Sequence, residues 1–244
     1  MAATCPRCRG TGFEIRTRPG AENVAVPCSC NLEGRCERLL RSARIPRRYD
    51  HCTLDSFELQ HESHDGARRI ARDWVDRWPA VEYGLLFHGP PGTGKTHLAV
   101  GIARELIRTK SARLLFYEQR ELLKALQGTF DTGSQHTEAE ILGPVLDVEV
   151  LVLDDVGAGR VTAWSRDVMY EIITHRYNSR LPLILTSNRA TGEEADGSES
   201  PPAGLSLRDR LGDALMSRLY EMCRVVPVDG QDYRRGVLHA RHRF

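Results

Sequence analysis

Gly89-Pro90-Pro91-Gly92-Thr93-Gly94-Lys95-Thr96 fits the pattern GxxxxGK[ST] in full, and the hydrophobic period changes on either side of it. Upstream, residues 83–87 form a short apolar run of the kind that makes a buried strand. Downstream, Leu98, Ile102 and Leu106 recur on one face of a helix. Strand, glycine-rich turn, helix is the setting in which this pattern grips phosphate. Glycines let successive backbone N–H groups curl around phosphate oxygens, and the helix N-terminus adds a favourable dipole. The lysine reaches the β- and γ-phosphates, and the hydroxyl at the last position holds Mg²⁺. The nucleotide-binding residues expected are therefore Gly89, Pro90, Pro91, Gly92, Thr93, Gly94, Lys95 and Thr96, followed by His97.

Further apolar runs bounded by polar segments lie at 113–117, 150–153, 181–185 and 224–228. Between them, helical spacing is legible in Ala67, Ile70, Ala71, Trp74, Val75 and Trp78, in 122–126 and 138–145 around a polar turn at 128–134, and in Val161, Trp164, Val168 and Ile172. Leu207, Leu211, Leu215 and Leu219 form one helical stripe. Strands alternating with helices predict an α/β fold with a mostly parallel sheet. Residues 192–204 (GEEADGSESPPAG) hold four acids and two prolines and are expected to be a disordered acidic insertion.

A phosphate loop needs an acid on a neighbouring strand to complete the magnesium shell. Residues 151–155 (LVLDD) supply one at the C-terminal end of an apolar strand, the edge at which open α/β sheets bind ligands. Asp154 is the expected Mg²⁺ organiser, and Asp155 is placed to orient or deprotonate an attacking water. The strand at 181–185 runs into Thr186-Ser187-Asn188. A polar side chain there would sit between the tips of the loop-bearing strand and the acid-bearing strand; Ser-Asn is also ordinary turn chemistry.

The chain has 244 residues, 41% hydrophobic and 27% charged, with a net charge of +1, so a uniformly basic nucleic-acid coat is excluded. The charge is uneven: residues 1–50 carry ten Arg against five acids. Five of the seven cysteines also fall in the first 36 residues. Cys5 and Cys8 (CxxC) and Cys28 and Cys30 (CxC) are separated by 19 residues, a spacing that can close a tetrahedral thiolate site around zinc. A segment of this length without a core needs such a staple. A redox CxxC pair, or a site using Cys36 in place of Cys28 or Cys30, remains an alternative. The predicted organisation is a zinc-binding module at 1–31, a basic helix and linker at 32–48, and the nucleotide-binding domain at 49–244. No apolar run approaches a membrane span of about 18 residues and no secretory leader is visible, so a cytoplasmic location is expected.

GPPGTGKTHLA, then LVLDDVG, then ILTSN, then SRL followed by DYR resembles the AAA+ ATPases, and specifically the DnaC/DnaI-type replicative helicase loaders with their IstB-like transposition relatives. The resemblance spans about residues 40–244 and includes ARIPRRY at 43–49. It implies a P-loop AAA+ parallel sheet flanked by helices, with ATP and Mg²⁺ as ligands. By it, Asn188 is the sensor 1 position, Arg218 the arginine finger and Arg234 the sensor 2 arginine, with Arg210 and Arg176 as competing fingers. It further implies as partners a replicative helicase, docked by the zinc module, single-stranded DNA, and a second copy of the chain at the ATP site. Lys124, Thr129 and Phe130 lie where related proteins place a single-strand-binding insert; Phe130 packing on its own helices is the alternative. This chain departs from the pattern twice. Asp154-Asp155 stands where many AAA+ proteins have Asp-Glu, and the shorter second carboxylate predicts slow turnover. Only 56 residues follow Asn188, too few for a full helical lid beside the acidic insertion, so a truncated lid is expected. A transposition helper acting on duplex DNA, or a nucleotide-gated adaptor with negligible turnover, would carry the same nucleotide motifs.

Overall fold

The apolar runs pair into one five-stranded, wholly parallel sheet in a computed structural model that describes residues 5–9, 11–16, 23–130, 136–192 and 206–238. Its strands are β3 (Gly84–His88), β4 (Leu114–Glu118), β5 (Val150–Asp154), β6 (Leu183–Ser187) and β7 (Cys223–Pro227), in the order β4-β5-β6-β3-β7. Each lies within two residues of its sequence expectation at either end.

The pleat sorts the core into two layers. Leu85, Phe87, Leu114, Phe116, Val150, Val152, Ile184 and Val226 point to the side carrying α2 (Glu62–Arg77) and α3 (Lys95–Lys110). Leu86, Leu151, Leu153, Leu183 and Leu185 point to the other side. There they meet α4 (Gln119–Gln127), α5 (Glu138–Asp147), α6 (Ala163–Asn178), α7 (Leu207–Leu211) and α8 (Asp213–Met222). Burial on both faces is why these strands read as continuous apolar runs rather than alternating ones.

The leucine stripe is two helices rather than one. Gly212 adopts φ 89°, outside helical space, and ends α7 before α8 starts, yet Leu207, Leu211, Leu215 and Leu219 all stay buried. The acidic insertion expected at 192–204 lies, Gly192 apart, outside the described residues, as does most of the turn expected at 128–134. Gly128–Phe130 forms a 3₁₀ turn.

The N-terminal segment is an antiparallel hairpin of β1 (Phe13–Arg16) and β2 (Val24–Pro27), which leads into α1 (Ser29–Ser42). The helix begins three residues before its expected start and takes in Cys30. It is not a free linker. Leu39, Leu40 and Cys36 pack on the α3 side of the core, Ala43 is fully buried, and the Phe116 N–H donates to the Ala43 carbonyl at 2.8 Å. Among the described residues no helix is long and apolar enough to cross a membrane. Beyond β7 the described chain is a short segment with a π-helical turn at Arg234–Leu238, not a helical domain.

Candidate functional site: the phosphate loop, its acids and the cysteine cluster

The parallel sheet sets the site's framework. β6 lies between β3 and β5, so the loop after β3, the acids ending β5 and the polar tip of β6 converge at one edge. The loop needs glycine where backbone and neighbours leave no room for a side chain. At Gly92 (φ 81°) a Cβ would fall 2.0 Å from Asp232 Oδ1, and at Gly94 (φ 96°) it would fall 2.5 Å from the Phe57 ring. Gly94 caps α3, whose first turn carries Lys95, Thr96 and His97.

Lys95 is 5% exposed, and its Nζ donates to the Gly89 carbonyl (2.8 Å) and the Pro90 carbonyl (2.5 Å). Burial pulls its pKa down to about 8, partly opposed by the charges of Asp155 and Asp154.

Asp154 is 4% exposed and is held by two hydroxyls on the same oxygen, Thr96 Oγ1 at 2.7 Å and Thr186 Oγ1 at 2.6 Å. Burial raises its pKa, and these hydrogen bonds oppose the rise. Thr186 also accepts from the Asp155 N–H at 2.9 Å, so one side chain fixes both acids. Asp155 sits in the left-handed region (φ 56°), which Asp and Asn tolerate better than longer side chains. Its carboxylate accepts from Asn188 Nδ2 at 2.7 Å. Thr96, Asp154, Asp155 and Asn188 are thus one hydrogen-bonded chain joined through Thr186, which the sequence placed at this polar strand tip without giving it a role.

The chain returns over the loop after β7. Tyr233 N–H donates to the Gly92 carbonyl at 3.1 Å, and the Tyr233 hydroxyl donates to Glu58 at 2.9 Å. This places Arg234 close enough for its charge to depress the Lys95 pKa further. His97 turns elsewhere: its ring packs edge-on against Phe57, and its Nε2 lies 2.9 Å from the Thr53 carbonyl.

Burial sets Arg176 apart from the other two candidate fingers. Arg176 is fully buried and donates to the carbonyls of Val145, Leu146, Val148, Glu149 and Pro182, so it is a structural tie and cannot reach a neighbouring subunit. Arg210 is half-buried and donates to the Gly159 carbonyl at 3.0 Å. Arg218 is half-buried on α8; its guanidinium lies 4.9 Å from the centre of the Tyr170 ring and donates to the Tyr170 hydroxyl at 3.2 Å. Phe130 is 59% exposed and meets Trp164 of α6 edge-on at 5.8 Å, Lys124 is exposed, and the Thr129 hydroxyl is tied to the Leu126 carbonyl.

In the N-terminal module the sulfurs of Cys5, Cys8, Cys28 and Cys30 all lie within 4.8 Å of one another. Cys5 and Cys28 are 3.8 Å apart and Cys8 and Cys30 are 3.4 Å apart. A tetrahedral zinc with Zn–S bonds of about 2.3 Å requires sulfurs roughly 3.8 Å apart, so the four thiols fit that ion. Cys36 packs against the core instead and is not part of the cluster.

Residues 31–240 match the protein family described as IstB-like ATP binding protein. The chain is 27% identical over 230 residues to the phage-like element PBSX protein XkdC of Bacillus subtilis (strain 168), covering 90% of this chain and 79% of that protein. It is 26% identical over 182 residues to the replicative helicase loader DnaC of Escherichia coli (strain K12), covering 73% of each. A crystal structure of the DnaC helicase loader superposes with a TM-score of 0.64 at 33% identity, over 75% of this chain and 99% of that one.

Proposed function

This chain belongs to the family of IstB-like ATP binding proteins, and we propose that it is a Mg-ATP-dependent loader of a replicative DNA helicase. The observation that carries the reading is the hydrogen-bonded chain from Thr96 through Asp154 and Asp155 to Asn188. It presents a magnesium-binding pair and a water-orienting pair at one sheet edge, beside a phosphate loop. Similarity to DnaC in sequence and in fold supplies the partner.

Each residue has a role that its surroundings support. The loop N–H groups and Lys95 bind the phosphates, and Thr96 and Asp154 hold Mg²⁺, which when bound neutralises charge on the β- and γ-oxygens. Asp155 orients or accepts a proton from the attacking water, and Asn188 fixes the Asp155 carboxylate. Arg234 reports on the nucleotide from the segment that crosses the loop. Arg218, half-buried beside Tyr170 on α8, is delivered to the site of an adjacent copy. Zinc closes Cys5, Cys8, Cys28 and Cys30 and supplies folding free energy to a module that presents Phe13, Ile15 and Val24 to solvent as a surface for the helicase. Single-stranded DNA is bound by the assembled protein, with Lys124, Thr129 and Phe130 as candidate contacts. Hydrolysis is slow and resets the complex.

Native mass spectrometry with the host's replicative helicase, in ATP and magnesium, tests this. The full chain should form a complex, and a Cys5→Ser/Cys8→Ser variant should lose both the zinc of the four-cysteine cluster and the complex while retaining ATP binding. These substitutions are preferable to deleting residues 1–48, which would remove the buried Ala43 and its bond to β4. A full chain that ignores the helicase would overturn the loader reading. Binding to duplex DNA would then favour a transposition helper.

A further inference from the structure

His51, Cys52 and His97 each offer one ligand atom, and the three atoms lie within 4.8 Å of one another, well apart from the four-cysteine cluster in sequence. Cys52 Sγ is 3.7 Å from His51 Nε2. The ligands come from two segments. His51 and Cys52 lie just after the 3₁₀ turn Arg47–Tyr49, and His97 lies on the first turn of α3, directly after Thr96. The His51 and His97 rings meet nearly edge-on, at 84°.

The surroundings of His97 are those of a held ligand. Its Nε2 lies 2.9 Å from the Thr53 carbonyl oxygen and 3.2 Å from Ser56 Oγ. A carbonyl can only accept, so Nε2 carries the proton and the lone pair resides on Nδ1. Donation of the second ring N–H to a backbone carbonyl is how metal-binding histidines are oriented. Ser56 Oγ donates in turn to the His51 carbonyl at 2.9 Å and accepts from the Thr53 N–H at 3.0 Å, so the turn bearing two of the ligands is braced against the third. Burial is graded as well: Cys52 is 2% exposed, His97 is half-buried and His51 is exposed, which leaves a route for an ion from solvent. One thiolate with two imidazoles is a donor set for zinc and disfavours Mg²⁺ and Ca²⁺, which take oxygen ligands.

We propose that His51, Cys52 and His97 form a second zinc site, which ties the turn at 51–52 to the helix that carries Lys95 and Thr96. Binding exchanges the Cys52 proton for a Zn–S bond, the proton passing to solvent, with no change of oxidation state. Three protein ligands leave one position of a tetrahedral ion open to water. The site thereby places an ion-dependent clamp one residue from the proposed magnesium ligand Thr96. It does not depend on the helicase-loader reading.

Cobalt(II) titration of the full-length protein, monitored by absorption spectroscopy, tests the proposal with Co²⁺ as the probe. The intact chain should take up one more equivalent than Cys52→Ser or His51→Ala. The added spectrum should be that of a four-coordinate ion with a single thiolate, and Cys5→Ser/Cys8→Ser should keep it while losing the four-thiolate signal. His51 is exposed, so His51→Ala keeps the test valid if Cys52→Ser fails to fold. Zn²⁺ should raise the melting temperature of Cys5→Ser/Cys8→Ser and leave it unchanged once His51→Ala is added. Equal Co²⁺ uptake by the intact chain, Cys52→Ser and His51→Ala, or a single-thiolate spectrum that survives both substitutions, would overturn it.

Discussion

Lys95 and Asp155 are the residues at which local environment most directly sets chemistry. Burial holds the Lys95 pKa near 8, below its ordinary 10.5. Below about pH 8 folded and unfolded chains both carry the proton, and the cost of burying the charge is present in full. Between about 8 and 10.5 only the unfolded chain is protonated, so the Lys95 contribution makes stability rise with pH across that window. Phosphate binding needs the charged form and has the opposite sign. ATP affinity should weaken by up to about tenfold per pH unit above pH 8. Calorimetry in buffers of different ionisation heat should show proton uptake on ATP binding at about pH 9, absent in Lys95→Met. At Asp155 the left-handed backbone and the bond from Asn188 restrain a short carboxylate. Turnover of the isolated protein should therefore not exceed about 1 s⁻¹. Asp155→Asn should keep ATP binding and lower hydrolysis by roughly a hundredfold or more, measured as phosphate release. An unchanged rate would leave the protein a nucleotide-gated adaptor.

At the scale of elements, Arg176 shows how α6 is fixed to the sheet. It lies wholly inside the protein, with its pKa lowered to about 10 by burial, and its guanidinium gathers carbonyls from the end of α5, the lead into β5 and the lead into β6. Arg176→Met removes donors from several buried carbonyls at once and should cost about 3 kcal/mol or more, seen as a fall in melting temperature on the order of 10 °C. ATP affinity per folded molecule should be unchanged, which would separate this arginine from any finger role. Sequence alone could not make that distinction, because an arginine at helical spacing reads the same on a wet face or inside. The parallel strands were legible because both their faces are buried, and the phosphate loop because its glycines and lysine are obligatory. The hairpin of β1 and β2 was not. Phe13, Ile15 and Val24 alternate over only four residues per strand, remain exposed, and owe their arrangement to four cysteines rather than a core. Gly212 was hidden for the opposite reason: the leucine stripe continues through it in phase, and only its backbone angle marks the break.

Across the whole molecule, the sheet separates the phosphate loop from the proposed finger. Lys95 and Thr96 stand on α3, packed against one face, whereas Arg218 stands on α8, packed against the other, and its hydrogen bonds go to Tyr170 and to its own helix. Tyr170 is 45% exposed, so the pair lies at the surface of α6 and α8, where the proposed finger would have to meet a neighbour. A finger that serves the next copy in a head-to-tail contact can be supplied in trans, and this dictates the outcome of mixing two inactive proteins. On the proposed roles, Arg218→Ala would retain a complete magnesium site but deliver no finger, and Asp154→Asn would deliver a finger but bind no productive magnesium. Each alone should lose most of the assembly-stimulated hydrolysis, by about 10³-fold or more for the finger. Mixed in equal amounts, about a quarter of the sites would pair an intact Asp154 with an intact Arg218 from the neighbour, so about a quarter of the wild-type rate should return. Recovery should be weaker with Tyr170→Ala placed in the Asp154→Asn partner, because the guanidinium then loses both its ring and its hydroxyl acceptor. No recovery on mixing, with both variants still binding ATP, would mean that Arg218 does not complete a neighbour's site, and would move the search to Arg210 beside the loop at Gly159.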